Sequence, residues 1–189
     1  MSVRHSFNLR DEELREFEER AQHTQANARF RSPDEIVADA RVVADAAAKA
    51  QLPAFVRDRF ARLVLMLDMA SDSEWCSSDE DRQRLLNAIA CCCDSQSSVD
   101  ESAGFLDHSI MIELVSRDLE HDLAAYRDFC SLRTSHSKRR RPGANADEQR
   151  EQWLSQTREA LQQRMHLRRT RSLVRSGGSM RRLFSLLGL

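Results

Sequence analysis

Residues 85–115 read LLNAIACCCDSQSSVDESAGFLDHSIMIELV. Two apolar patterns with helical spacing meet in this stretch across a polar loop. On the first side Leu85, Leu86, Ile89, Ala90 and Cys93 share a face. On the second, Ile112, Val115, Leu119, Leu123, Tyr126 and Cys130 trace a stripe to about Leu132. The loop expected between them, Asp94 to Ala103, has no proline, and Gly104 is the only glycine in the first 142 residues. A lone glycine at a loop-to-helix junction points to a backbone conformation that other residues resist. Asp107 or Ser109 is the expected cap of the second helix. Two helices with apolar faces on both sides of a corner need further helices to bury those faces.

The N-terminal half supplies them. Leu14, Phe17 and Ala21 set a stripe for a helix from Asp11 to about Ala28. Ser32-Pro33-Asp34-Glu35 places a hydroxyl at the N-cap, proline at the first helical position and Glu three residues after the cap. The helix it opens presents Ile36, Val37, Ala40, Val43 and Ala47. Leu52-Pro53 starts another, with Phe55, Val56, Phe60, Leu63, Val64 and Leu67 on one face, the most apolar in the chain. Trp75 is placed to lid the core, and Ser77 or Ser78 caps the helix that enters the corner. The fold class is therefore all-α: a helical bundle of about five helices from Asp11 to Leu132, with a basic C-terminal extension, part helical and part disordered.

Composition agrees. Only 5 Gly and 3 Pro in 189 residues leave little material for β-turns. Charge is unevenly divided behind a net of -1. Residues 133–189 hold 14 Lys and Arg against 4 Asp and Glu, a net of +10, and residues 1–132 balance them at -11. That split predicts an acidic body over residues 1–132, a basic linker over 133–144 ending in Pro142-Gly143, and a basic helix and tail over 145–189. Asn145-Ala146-Asp147-Glu148 is a second cap signature. The helix after it has a thin apolar edge of Trp153, Thr157, Leu161 and Met165, running to about Arg169. The end, Met180 to Leu187, is a small amphipathic segment.

The N-terminal MSVRHSFNLRDEEL has no apolar run of a secretory leader, and no apolar stretch approaches the ~18 residues that span a bilayer. Five cysteines, three of them adjacent at Cys91–Cys93, do not form a disulfide framework. Reduced thiols in the cytoplasm are the expectation.

Leu85–Ala90, Cys93-Asp94, Gly104-Phe105-Leu106-Asp107 and Ile110-Met111-Ile112-Glu113-Leu114-Val115 resemble the YkvA-like family, a bacterial domain of unknown function. The likeness extends to Leu52–Phe60, Glu74-Trp75, Ala125–Cys130 and the Arg-rich tail, and so covers most of residues 6–132. It implies a helical fold and no established reaction. The chain departs from the family in its loop, where the family's prolines are missing. It also has Asp107-His108 where the family has paired aspartates, and Cys91-Cys92 where the family has an aromatic pair.

Three sites follow from the residues. Asp94, Asp100, Glu101, Asp107 and His108 gather oxygens and an imidazole at the corner, a donor set for a divalent cation; the same acids also serve as caps and loop charges. Cys91–Cys93 with His108 or His121 lack the spaced pairs of a zinc site and the base–nucleophile spacing of a thiol enzyme. No G-x-G-x-x-G, P-loop or H-E-x-x-H pattern occurs, and no cofactor is expected. The basic arm is the strongest pointer. Lys138, Arg139, Arg140, Arg141, Arg168, Arg169, Arg181 and Arg182 offer contacts to an anionic membrane surface, with Leu183, Phe184, Leu186 and Leu187 as an apolar foothold. The expected function is that of a non-enzymatic interaction protein, peripheral at such a membrane or bound to a protein partner. The alternatives are a metal-dependent or enzymatic function at residues 94–108 and nucleic-acid binding through the tail.

Overall fold

The computed structural model describes residues 31–75, 77–93, 101–139 and 146–175, together with scattered positions between 10 and 24. Helix is the only regular structure among them, so the chain is all-α. In chain order the helices are α1 (Pro33–Lys49), α2 (Ala54–Ser71), α3 (Asp79–Cys93), α4 (Glu101–Asp118), α5 (Glu120–Arg139) and α6 (Ala146–Arg175). Residues 12, 15–17, 19, 20, 23 and 24 are helical as well, within the range expected for a first helix.

The start signals act as read. The Ser32 hydroxyl accepts from the Glu35 amide at 3.3 Å, and the Glu35 carboxylate accepts from the Ser32 amide at 2.8 Å. Pro33 opens α1. Those hydrogen bonds hold the Glu35 carboxyl below its usual pKa range. Of the two serines expected to cap α3, Ser78 does so: its Oγ accepts from the Asp81 amide at 3.2 Å and donates to the Asp81 carboxylate at 2.9 Å.

The core lies where α1, α2, α3, α4 and α5 converge. α1 rests on α2 and α3 through Ile36, Ala40, Ala44 and Ala47, small residues that let the backbones approach. α2 contributes Val56, Phe60, Leu63, Met66, Leu67 and Met69, and packs on α4. Phe60 meets Phe105 edge-on, with ring centroids 5.8 Å apart. α3 is covered on nearly every side, which explains why even Arg84 and Asn87 are buried. Trp75, 1% exposed, sits under the α2–α3 turn against Tyr126 and Phe129, which makes it a core residue. Val64, expected on the apolar face of α2, is 44% exposed.

The expected elements differ from the observed ones in four places. α4 is already helical at Glu101, so Asp107 and Ser109 lie inside the helix and do not cap it. Ser109 instead donates back to the Leu106 carbonyl at 2.8 Å. The stripe from Ile112 to Cys130 is carried by two helices, α4 and α5, which break at the buried Leu119. α5 runs on to Arg139, so residues 133–139 are helix and not linker. Finally, α6 is packed against the body, chiefly along α5, as part of the same structure. The expectation of a loose basic arm is thereby corrected for residues 146–175. Residues 94–100, 140–145 and 176–189 lie outside the described set.

Candidate interaction surface on the C-terminal helix

Acids in the first turn, Asp147 and Glu148, suit the positive end of the α6 dipole. Its apolar edge is narrow: Leu154, Leu161 and Met165 are buried, and Trp153 is half-buried with its ring stacked on His136, centroids 4.0 Å apart. Polar contacts hold both ends of this edge. At one end Glu74 accepts from Arg150, and from Arg133 Nη1 at 2.8 Å, while Arg158 Nη1 donates to the Glu74 carbonyl at 3.2 Å. The hydrogen bond from Arg150 outweighs partial burial and holds the Glu74 carboxyl below its usual range, with Arg133 acting in the same sense. Gln162 Nε2 adds a bond to the Trp75 carbonyl at 3.0 Å.

At the other end Arg169 reaches two acids at once. Nη1 donates to Asp81 Oδ1 at 2.9 Å and Nη2 to Asp122 Oδ1 at 2.5 Å. His166 Nε2 stands 3.5 Å from the second oxygen of Asp81. Beneath them Arg84, 2% exposed, donates to the same Asp122 oxygen at 3.0 Å and to the Asp118 carbonyl at 2.7 Å. The position has a clear electrostatic logic. Asp118 is the last residue of α4 and Asp122 stands in the first turn of α5, so one guanidinium satisfies a C-terminal carbonyl and an N-terminal acid across the break. Burial pulls the pKa of Arg84 down and Asp122 works against it. Burial also pushes the Asp118 carboxyl up to about 6, opposed by Arg84, and its Oδ2 has no hydrogen-bond partner.

The opposite face of α6 is a different surface. Arg164, Leu167, Arg168 and Arg171 fall at i, i+3, i+4 and i+7 and are all exposed, Leu167 to 58%. No ion pair ties these three arginines to another described residue. Beside them an open groove of about 570 Å³ runs between α5 and α6, lined by Leu132, Trp153, Leu161 and Arg164 among others.

The expected anion-binding residues therefore separate. Arg168 is exposed on the outer face, and Lys138 is exposed near the end of α5. Arg139 ends α5, while Arg140, Arg141, Arg181 and Arg182 lie outside the described residues. Arg169 is a correction: only 11% of its side chain is exposed, and two aspartates hold it. Its neighbour in sequence points out because successive helical positions turn by ~100°.

At the corner, Asp94 and Asp100 lie outside the described residues, and the side chain of Glu101 is not described. Asp107 faces Arg20 at 3.8 Å. His108 is buried and its Nδ1 donates to the Cys92 carbonyl at 2.8 Å, which fixes the proton on that nitrogen. Asp107 and His108 are thus each engaged with a different partner. Among the described residues no group of three or more His, Cys, Asp or Glu is placed to hold a metal ion. Burial pushes the Cys92 thiol well up, the state of an inert core cysteine.

Sequence reasoning missed Glu74, Asp81, Arg84 and Asp122. One signal was available: the pairs Asp118/Asp122 and Leu119/Leu123 share the i, i+4 spacing, so acids and leucines lie side by side entering the core. No family model matches the chain, and no curated protein and no solved structure matches it either.

Proposed function

We propose that this chain is a YkvA-like, non-enzymatic interaction protein that sits peripherally on an anionic membrane surface at the cytoplasmic face. One observation carries the reading: the arginines of α6 divide into an inner set tied to Glu74, Asp81 and Asp122 and an outer set, Arg164, Arg168 and Arg171, turned to solvent around Leu167. No described helix is long and apolar enough to cross a membrane. A basic residue near anionic lipid contributes about 1 kcal/mol, so three arginines give about 3 kcal/mol. That falls short of the ~4 kcal/mol of a millimolar contact. The further arginines of residues 139–141 and 181–182, with the apolar residues of 183–187, are therefore part of the surface in this reading.

Lipid suits the outer face better than nucleic acid does. An exposed leucine among arginines matches the boundary between headgroups and acyl chains. The half-buried Trp153 is already stacked on His136, which takes it from the pool of rings that unpaired bases need. Co-sedimentation with phosphatidylglycerol-containing vesicles tests the reading, against phosphatidylcholine alone. Deleting residues 138–189 would strip away a docked helix, so the variant of choice is the triple Arg164→Gln, Arg168→Gln, Arg171→Gln. Binding that needs the anionic lipid and falls about a hundredfold in the triple variant supports the proposal. Binding indifferent to lipid charge, or binding to single-stranded DNA with none to vesicles, overturns it.

A further inference from the structure

A second cationic cluster lies on the acidic body, away from the arginines of α6. Three guanidiniums converge on one carboxylate, that of Glu113 on α4. Arg62 Nη1 lies 2.8 Å and Arg59 Nε 3.2 Å from Glu113 Oε2, and Arg117 Nε lies 3.4 Å from Oε1. The two helices place them in register. Arg59 and Arg62 are three apart on α2, Glu113 and Arg117 are four apart on α4, and α2 packs on α4.

The charges do not balance. Three arginines against one glutamate leave a local +2, on a body whose net charge is strongly negative. Nor do the donors balance, since three guanidiniums carry many more N–H groups than one carboxylate can accept. Arg59 shows the shortfall directly. Its side chain is 15% exposed and clamped from behind, Nη1 donating to the Phe55 carbonyl at 2.8 Å and the guanidinium 5.9 Å from the Phe55 ring centre. Yet its buried Nε has no well-aligned acceptor. Exposure then rises outward, from Arg59 to 37% at Arg62 and 68% at Arg117. The result is a floor at Arg59 with two more exposed walls at Arg62 and Arg117, open to water on the Arg117 side.

We propose that this cluster is a binding site for a phosphate monoester dianion. The dianion's charge matches the local +2, and its oxygens match the paired donors that a guanidinium presents. Glu113 is the placeholder that keeps three like charges together when the site is empty. The phosphate belongs either to a soluble monoester or to a monoester lipid headgroup, and the two differ only in what they carry behind the phosphate.

Thermal unfolding of the full chain in inorganic phosphate, against chloride at matched ionic strength, reads the site. A rise in Tm of a few degrees that disappears in Arg62→Ala/Arg117→Ala is expected. A structural cluster with no ligand would lower Tm in that variant and give no response in the wild type to inorganic phosphate or to phosphatidic acid, which overturns the proposal. Glu113→Gln separates the two roles a second way. Its Tm without phosphate should fall, and its rise with phosphate should exceed that of the wild type; an equal or smaller rise counts against the site. Vesicles with and without phosphatidic acid distinguish the sources, in the background of the Arg164/Arg168/Arg171 triple variant. A response to inorganic phosphate assigns a soluble ligand, one to phosphatidic acid alone assigns a headgroup, and neither refutes the site. Because that background lacks the outer arginines of α6, failure here is separate from failure of the membrane reading.

Discussion

Arg169 of α6 and Asp122 of α5 meet across 47 positions of sequence, Nη2 to Oδ1, with only 11% and 3% of their side chains exposed. This pair joins the basic helix to the acidic body. It also shares its carboxylate oxygen with Arg84, so the acid serves two guanidiniums.

Removing that acid should be costly. Breaking a buried pair by deleting one partner typically destabilises by about 3–5 kcal/mol, because the remaining charge stays buried. In Asp122→Ala the charge left behind is Arg84, at 2% exposure. We expect a loss of that size in urea unfolding, with faster amide exchange at the α4–α5 break and near Arg169. A loss below about 1 kcal/mol would show that the network contributes little to the fold.

Asp118 predicts an unusual pH response. Its folded pKa of about 6 lies above the 3.8 of an ordinary aspartate, so the folded state holds this proton more tightly than the unfolded one. Stability from this group is therefore full below about pH 4 and is lost as pH rises through 6. One pKa unit corresponds to about 1.4 kcal/mol, so the ionised carboxylate costs the fold on the order of 3 kcal/mol at neutral pH. Asp118→Asn should raise Tm at pH 7.5 and flatten the profile between pH 5 and 7.5. Glu74, with its lowered pKa, acts in the opposite sense and only at more acid pH, outside that window.

Arg168 and Arg169 are adjacent in sequence and opposite in role. Arg169→Gln should lower stability and leave vesicle binding intact. Arg168→Gln should leave stability within about 0.5 kcal/mol and weaken vesicle binding about fivefold. Vesicle binding by the wild type should also fall steeply with added salt, as screening of exposed charges requires. Equal effects of the two substitutions on both readouts would remove the division between inner and outer arginines.

Ser78 both caps α3 and holds the Asp81 carboxylate that Arg169 uses. Loss of a serine cap costs about 1 kcal/mol. A double-mutant cycle of Ser78→Ala and Arg169→Gln should show coupling of at least about 0.5 kcal/mol, because the two share Asp81. Simple additivity would mean that the cap and the ion pair are independent.

Helices were legible wherever a local signal set them. Ser32-Pro33-x-Glu35 is a self-contained device whose hydrogen bonds close within four residues, so its helix start could be read directly. The stripe of α2 was legible for the same reason, save Val64 at its margin. The break at Leu119 left no mark of this kind, since Leu119 continues the apolar stripe and no glycine or proline interrupts it. Gly104 misled in the other direction, because a glycine within a packed helix costs only about 1 kcal/mol and the surrounding core overrides it.

The sequence by itself determined an all-α chain, the faces that pack, and the separation of negative from positive charge along its length. Those properties follow from spacing over one or two turns and from composition. Tertiary structure alone decided what the charge was for. Whether an arginine grips the body or faces water depends on which acids lie across the interface, and Glu74, Asp81 and Asp122 come from three distant segments. Helical periodicity gives the direction in which a side chain points, and only the packing of one helix on another supplies the group it meets.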